Sequence, residues 1–307
     1  MLRASLFASA LYAGSAMAQT YWFSFGDSYT QTWFDPTGEL PSISNPIGNP
    51  AYPGWTASGG ENWVTYLTTK YNTSLVFTYN YAYGGATTDA ELVTPYEDTV
   101  LSFVDQVGEF EEGAGTKPAG TPWTGEGSLF SVWIGVNDIG NSFWLDGDRG
   151  EFSDTLLARD FEMVEKLVSV VRAEDACRVV PRLTFCSDAG GRNFLFLNVP
   201  AIERSPLMLQ QPQASRDQEA SVIAVHNTKL ADKVTDFAAS HDGVTTWVWD
   251  AYAVFTEVLD DLEGFGFNGN ASGYGDGYFW GNDYHPGEGA NKIFAERIAD
   301  LLDGAIL

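Results

Sequence analysis

Three short apolar runs in this chain each end in a glycine turn that carries a polar residue, and this recurrence narrows the fold more than any other feature. The first run, Tyr21 to Phe25, leads into Gly26-Asp27-Ser28. The second, Leu75 to Tyr81, leads into the turn around Gly85. The third, Ser128 to Ile134, leads into Gly135-Val-Asn137-Asp138. A continuous apolar run closed by a glycine turn suits a parallel strand covered on both faces. Asn193 to Val199 and Val244 to Trp249 complete a set of five.

Helical periodicity fills the intervals. Phe152 to Ala173 is the clearest case, with Leu156, Leu157, Phe161, Val164, Leu167 and Val168 along one face. Further helices are expected over Glu61 to Tyr71, Val100 to Phe110 (a weak pattern), Ser215 to Phe237, Ala251 to Leu262 and Glu288 to Leu302. Strands alternating with helices predict an α/β fold: a three-layer α/β/α sandwich on a five-stranded parallel sheet, flavodoxin-like in outline. In such a sheet the carboxyl ends of the strands share one edge, where ligands bind. Ser28, Gly85 and Asn137 are therefore expected to converge.

Residues 1–18 are set apart from this domain. Arg3 is their only charge, residues 5 to 14 are mostly Leu, Phe and Ala, and Ala16-Met17-Ala18 fits a cleavage site. The pattern reads as a secretory signal peptide, too short in its apolar stretch for a membrane anchor. A single domain over residues 19–307 and a secreted, extracellular location are the expectations. In an exported chain Cys177 and Cys186 are expected to pair as a disulfide, and Asn72 and Asn270 lie in glycosylation sequons.

The formal net charge is −25. Such a surface repels phosphate backbones and anionic bilayers, so neither nucleic acid nor stable membrane association is expected. No His/Cys/Asp/Glu cluster has metal-ligand spacing and no dinucleotide or phosphate loop occurs, so no metal and no cofactor are expected. The chain is expected to act as a monomer.

Acyl transfer needs a nucleophile, a base and donors for the developing oxyanion. Ser28, Gly85 and Asn137 are joined late in the chain by Asp283-Tyr-His285-Pro286. Together Gly26-Asp27-Ser28, Gly85, Gly135-Val-Asn137-Asp138 and His285-Pro286 resemble the four blocks of the GDSL esterases, also called SGNH hydrolases. The branch most resembled is the secreted fungal acetylesterases of carbohydrate esterase family sixteen. The resemblance implies that Ser28 is the nucleophile and His285 the base. It implies an oxyanion hole of the Ser28 and Gly85 backbone N–H groups and the Asn137 amide. The family usually places an acid three residues before the histidine. Here that position holds Asn282, so Asp283 is the expected acid; Asn282 itself or a backbone carbonyl holding the imidazole, or a register one residue off, are the alternatives.

The expected function is a serine esterase acting on short acyl esters, above all O-acetyl groups of plant-wall oligosaccharides. A lipase or lysophospholipase of the same fold is the rival. A non-catalytic sugar-binding protein is the rival from another class. His226 reads as structural, His241 as a surface cap at a helix end, Asp250 as a helix cap and Asp138 as a loop brace. Trp33, Trp55, Phe265 and Trp280 are candidates to stack on sugar rings, against the plainer reading of core or loop packing.

Overall fold

The structure is a computed structural model that describes residues 19–169 and 190–306. The leader, both cysteines and the end of the helix expected to run to Ala173 lie outside the described residues. The elements in chain order are β1 (Gln19–Gly26), α1 (Trp63–Thr69), β2 (Leu75–Asn80), α2 (Phe103–Glu112), β3 (Ser128–Trp133), α3 (Val136–Gly140), α4 (Arg149–Val168), β4 (Asn193–Leu197), α5 (Pro206–Leu209), α6 (Gln213–Ser240), β5 (Thr245–Trp249), α7 (Ala251–Asp260) and α8 (Glu288–Leu302). All four strand pairings are parallel, in the order β2-β1-β3-β4-β5. This is the expected five-stranded sheet of an α/β sandwich.

The alternation of side chains along a strand splits the interior into two cores. Tyr21, Phe23 and Phe25 of β1 join the core shared with α2, α4 and the second half of α6. Trp22 joins the opposite core with α1, α7 and α8. Phe23 alone meets Tyr79, Phe110, Trp123 and Phe130 at ring separations of 5.0–5.4 Å. Polar atoms inside the sheet are paired: Trp22 Nε1 donates to Ser131 Oγ (2.8 Å), which donates to Ser24 Oγ (3.0 Å). An unpaired polar group at that depth would cost about 1–3 kcal/mol.

Caps set the helix boundaries. Ser102 and Asp105 form a capping box, so α2 starts at Phe103 rather than Val100 and is a well-defined helix. Asp148 accepts from the N–H groups of Gly150 and Glu151 and starts α4 three residues before Phe152. The short α3 and α5 carry too few turns for periodicity to register.

The strand order places a topological switch point between β1 and β3. From β1 the chain crosses to β2 on one side, and β3 then begins the return on the other. A crevice opens at such a point outside the carboxyl ends of the strands. The turns after β1, β2 and β3 all open there.

Candidate active site

Gly26 ends β1 in a backbone conformation that admits only glycine. Its φ is +156°, and a Cβ would lie 2.5 Å from the Trp133 carbonyl oxygen. Gln106 of α2 clamps it from above: Gly26 N–H donates to Gln106 Oε1 (3.0 Å) and Gln106 Nε2 donates to the Gly26 carbonyl (2.8 Å). The chain then tightens, with the Thr30 and Gln31 N–H groups both donating to the Asp27 carbonyl (3.0 and 2.9 Å). This turn leaves Ser28 half-buried at the sheet edge.

Ser28 Oγ lies 2.7 Å from His285 Nε2. The other ring nitrogen, Nδ1, lies 3.0 Å from Asn282 Oδ1. That oxygen also accepts from the N–H groups of Tyr284 (2.9 Å) and His285 (2.8 Å), while Asn282 Nδ2 donates to the Ala57 carbonyl (3.2 Å). Two backbone N–H donors on the oxygen and a carbonyl acceptor at the nitrogen fix which end of the amide faces the imidazole. Nδ1 therefore carries the proton, and Nε2 presents its lone pair to Ser28.

Asp283, the acid expected from the sequence, does not take this place. It is exposed, and its backbone carbonyl accepts from Leu207 N–H (2.8 Å). The reason is the turn. Trp280 and Pro286 bridge, and Gly281 N–H donates to the His285 carbonyl (2.8 Å), so residues 281–285 form a tight loop with Asp283 at its outer tip. Asn282, at the foot of the loop, faces the ring. Tyr29 steadies the loop from the nucleophile side through its hydroxyl, which donates to the Tyr284 carbonyl (2.6 Å).

The other two turns are stitched to the first. Tyr83 N–H donates to the Gly26 carbonyl (3.1 Å). Asn137 Nδ2 donates one hydrogen to the Ala86 carbonyl (2.9 Å), which leaves its second for a ligand. Asp138 braces the same junction by accepting from Thr88 N–H with both oxygens (3.0 and 3.1 Å). Among the described residues, the N–H groups of Ser28 and Gly85 donate to no protein acceptor. Two backbone donors, one of them on Ser28, and one amide hydrogen of Asn137 are thus uncommitted among the described residues. The clamp by Gln106 and the anchor by Tyr29 escaped the sequence reading, because a lone Gln in a helix and a Tyr after a turn carry no pattern.

The remaining histidines and acids serve the framework. His241 sits at the end of α6 between the Phe237 carbonyl (3.0 Å) and Glu165 (2.9 Å). Asp250 caps α7 through Ala253 N–H (3.0 Å) and accepts from Asn198 Nδ2 (2.8 Å). His226 is buried, and burial pushes its imidazole down to about 4. Burial likewise lowers His285 to about 4, against an opposing pull from the charge of Asp283. Burial raises Asp27 to about 8, Asp138 to about 7 and Glu219 to about 8. Among the described residues, no group of three or more His, Cys, Asp or Glu is placed to hold a metal, and no helix is long and apolar enough to cross a membrane.

These shifts fix how stability responds to pH. A carboxyl whose folded pKa is raised lends stability that is full below its unfolded value, near 4, and lost as pH climbs through the folded one. A histidine whose folded pKa is lowered does the reverse, and its contribution is complete above about 6.5. Between pH 4.5 and 6.5 the three carboxyls outnumber the two histidines. Above 6.5 only the carboxyls still titrate. Stability is therefore expected to fall from pH 5 to pH 8, most steeply above 6.5, by about 1.4 kcal/mol per pH unit for each group in its window. Thermal unfolding across that range is the check; a Tm that climbs toward pH 8 would mean these carboxyls are ionised in the folded protein.

Residues 23–298 match the family profile described as GDSL-like lipase/acylhydrolase. The chain belongs to this family. It is a carboxylic ester hydrolase of the GDSL/SGNH fold. It is 41% identical over 289 residues to an acetylesterase from Thermothelomyces thermophilus, covering 93% of this chain and 89% of the relative. Among solved structures it is similar to the inhibitor-bound aryl esterase of M. smegmatis, at a TM-score of 0.50 and 12% identity, covering 94% of this chain and all of that one. It is also similar to an acetylxylan esterase from Geobacillus stearothermophilus, at a TM-score of 0.49 and 15% identity, covering 93% and 94% of the two chains.

Proposed function

We propose that the protein is a secreted serine esterase that removes short acyl groups, above all O-acetyl groups, from plant-wall oligosaccharides. The observation that carries the mechanism is the 2.7 Å contact between Ser28 Oγ and an imidazole whose tautomer Asn282 fixes. His285 Nε2 takes the Ser28 proton as Oγ bonds to the ester carbonyl carbon. The oxyanion then accepts from Ser28 N–H, Gly85 N–H and the second hydrogen of Asn137 Nδ2. The bond to the alkoxy oxygen breaks, and the proton on Nε2 leaves with the alcohol. Water gives a proton to Nε2 as its oxygen attacks the acyl carbon, and Ser28 is restored as the acid departs.

The support for the acetyl preference is the 41% identical relative named an acetylesterase. A series of 4-nitrophenyl esters from acetate to palmitate is the test. The expected order is steeply falling kcat/KM with chain length, and a faster palmitate than acetate would make the protein a lipase.

Asn137→Ala separates the oxyanion role from a turn role. Loss of one such donor is expected to lower kcat by about 10²–10³ with little change in KM. A change confined to KM would remove Asn137 from the oxyanion hole.

A further inference from the structure

Two tryptophans beside the nucleophile turn are exposed with no partner element to cover them. Trp33 is 48% exposed and Trp55 is 67% exposed. Their rings lie 6.1 Å apart at 59°, and Trp33 lies 5.6 Å from Tyr83 at 45°. The three rings form an angled wall. The other two candidates from the sequence are not part of it: Trp280 is fully buried against Phe255 and Phe279, and Phe265 packs on the core under Arg297.

The wall is continuous with the catalytic edge. Trp33 lies five residues beyond Ser28, and Tyr83 lies two before Gly85, at most about 7 Å along the chain. Its mounting is fixed. Trp55 N–H donates to the Thr32 carbonyl (3.1 Å), and Thr32 Oγ1 accepts from Asn80 Nδ2 (3.1 Å) at the end of β2. Trp33 has a φ of +61°, a left-handed conformation that a bulky residue adopts only at a cost. Among the described residues the other two non-glycine residues at positive φ, Lys117 and Asp303, each end a helix. Trp33 ends none, so its left-handed conformation has no capping reason.

We propose that Trp33, Trp55 and Tyr83 seat a pyranose ring of the alcohol part of the ester substrate. This rests on the esterase reading and names what lies beyond the acyl group. The axial C–H face of a pyranose is apolar and slightly positive, which matches the negative face of an aromatic ring. Gln31 lies against Gly84, and among the described residues its side-chain amide makes no hydrogen bond to the protein. It is free to pair with sugar hydroxyls. A phospholipid would need a cation for its headgroup, and residues 19–69 contain no Lys or Arg. Lys70, the next cation, is paired with Glu61. An uncharged, hydroxyl-rich ring is the ligand that fits.

Trp33→Ala and Trp55→Ala are the variants, with acetylated xylo-oligosaccharide and 4-nitrophenyl acetate as competing substrates. Each variant is expected to raise KM for the oligosaccharide about fivefold to tenfold, the share of one aromatic stack, and to lower the selectivity for it over 4-nitrophenyl acetate by as much. Phe at either position keeps a flat face and is expected to restore most of the selectivity. Unchanged selectivity in the Ala variants, or equal losses on both substrates that Phe does not rescue, overturns the proposal. Titration of the wild-type protein with unesterified xylotriose, read by tryptophan fluorescence, tests the wall without turnover. A saturable shift that Trp33→Ala removes supports it, and no shift in the wild type overturns it. Failure of the esterase reading is a different result: a wild type inactive on both esters, whatever xylotriose does.

Discussion

Ser28→Ala is expected to lower turnover of 4-nitrophenyl acetate by about 10⁴-fold or more while the protein stays folded. The size follows from what the hydroxyl does. In the proposed mechanism it is the atom that bonds to the acyl carbon, and nothing near it can replace it: His285 Nε2 would face a methyl group. The backbone N–H of residue 28 survives the change, so oxyanion donation from Ser28, Gly85 and Asn137 remains and leaves a small residual rate. Stability should change little, because the Ser28 side chain is half-buried and its contact is the one to His285. A fluorophosphonate probe adds a second reading. The wild type should gain one covalent adduct, on Ser28 by peptide mass, and the variant none. Wild-type turnover in a clean Ser28→Ala preparation, or an adduct on another residue, would falsify the mechanism.

The sheet was legible because its strands are short apolar runs, and the first three are buried along their length and closed by glycine turns. Gly26 and Gly135 show why that punctuation is reliable. Each has a positive φ, and a Cβ on either would collide, with the Trp133 carbonyl in one case and with Val199 in the other. The turn chemistry therefore could not drift without losing the glycine. The approximate place of Ser28 and Asn137 followed from strand ends sharing an edge. The partner of His285 did not. Whether residue 282 or 283 faces the imidazole depends on how the loop from Gly281 to His285 closes, and that depends on the Trp280–Pro286 bridge and on Tyr29 reaching in from a point 255 residues away in sequence. Sequence spacing holds no record of such a contact. The aromatic residues were ambiguous for a related reason: Trp33 and Trp280 read alike in a loop, yet one is half-exposed and the other buried.

Asn282→Ala is expected to cost about 10³- to 10⁴-fold in kcat, and Asp283→Ala less than about tenfold. Asn282 Oδ1 is the acceptor that keeps the proton on Nδ1; without it the imidazole can turn its protonated nitrogen toward Ser28, the fault that disables other triads. Asp283 acts only through its charge, from the exposed tip of the loop, where solvent screens it. An amide fixes the tautomer as an acid would, but it brings no charge to hold an imidazolium. That fits the low pKa of His285, about 4, whose first cause is burial. With the neutral ring as the proposed base, kcat/KM should hold as pH falls and drop only near pH 4, in the range where the buried carboxyls also favour the fold. Asn282→Asp supplies the missing charge. It should move that acid limb upward toward the usual histidine value, about 6.5. It also sets a carboxylate oxygen against the Ala57 carbonyl, where Asn282 Nδ2 now donates, so some stability should be lost. The pH profiles of the three variants decide the matter. A larger loss from Asp283→Ala than from Asn282→Ala, or an acid limb that Asn282→Asp leaves in place, would return the role to Asp283.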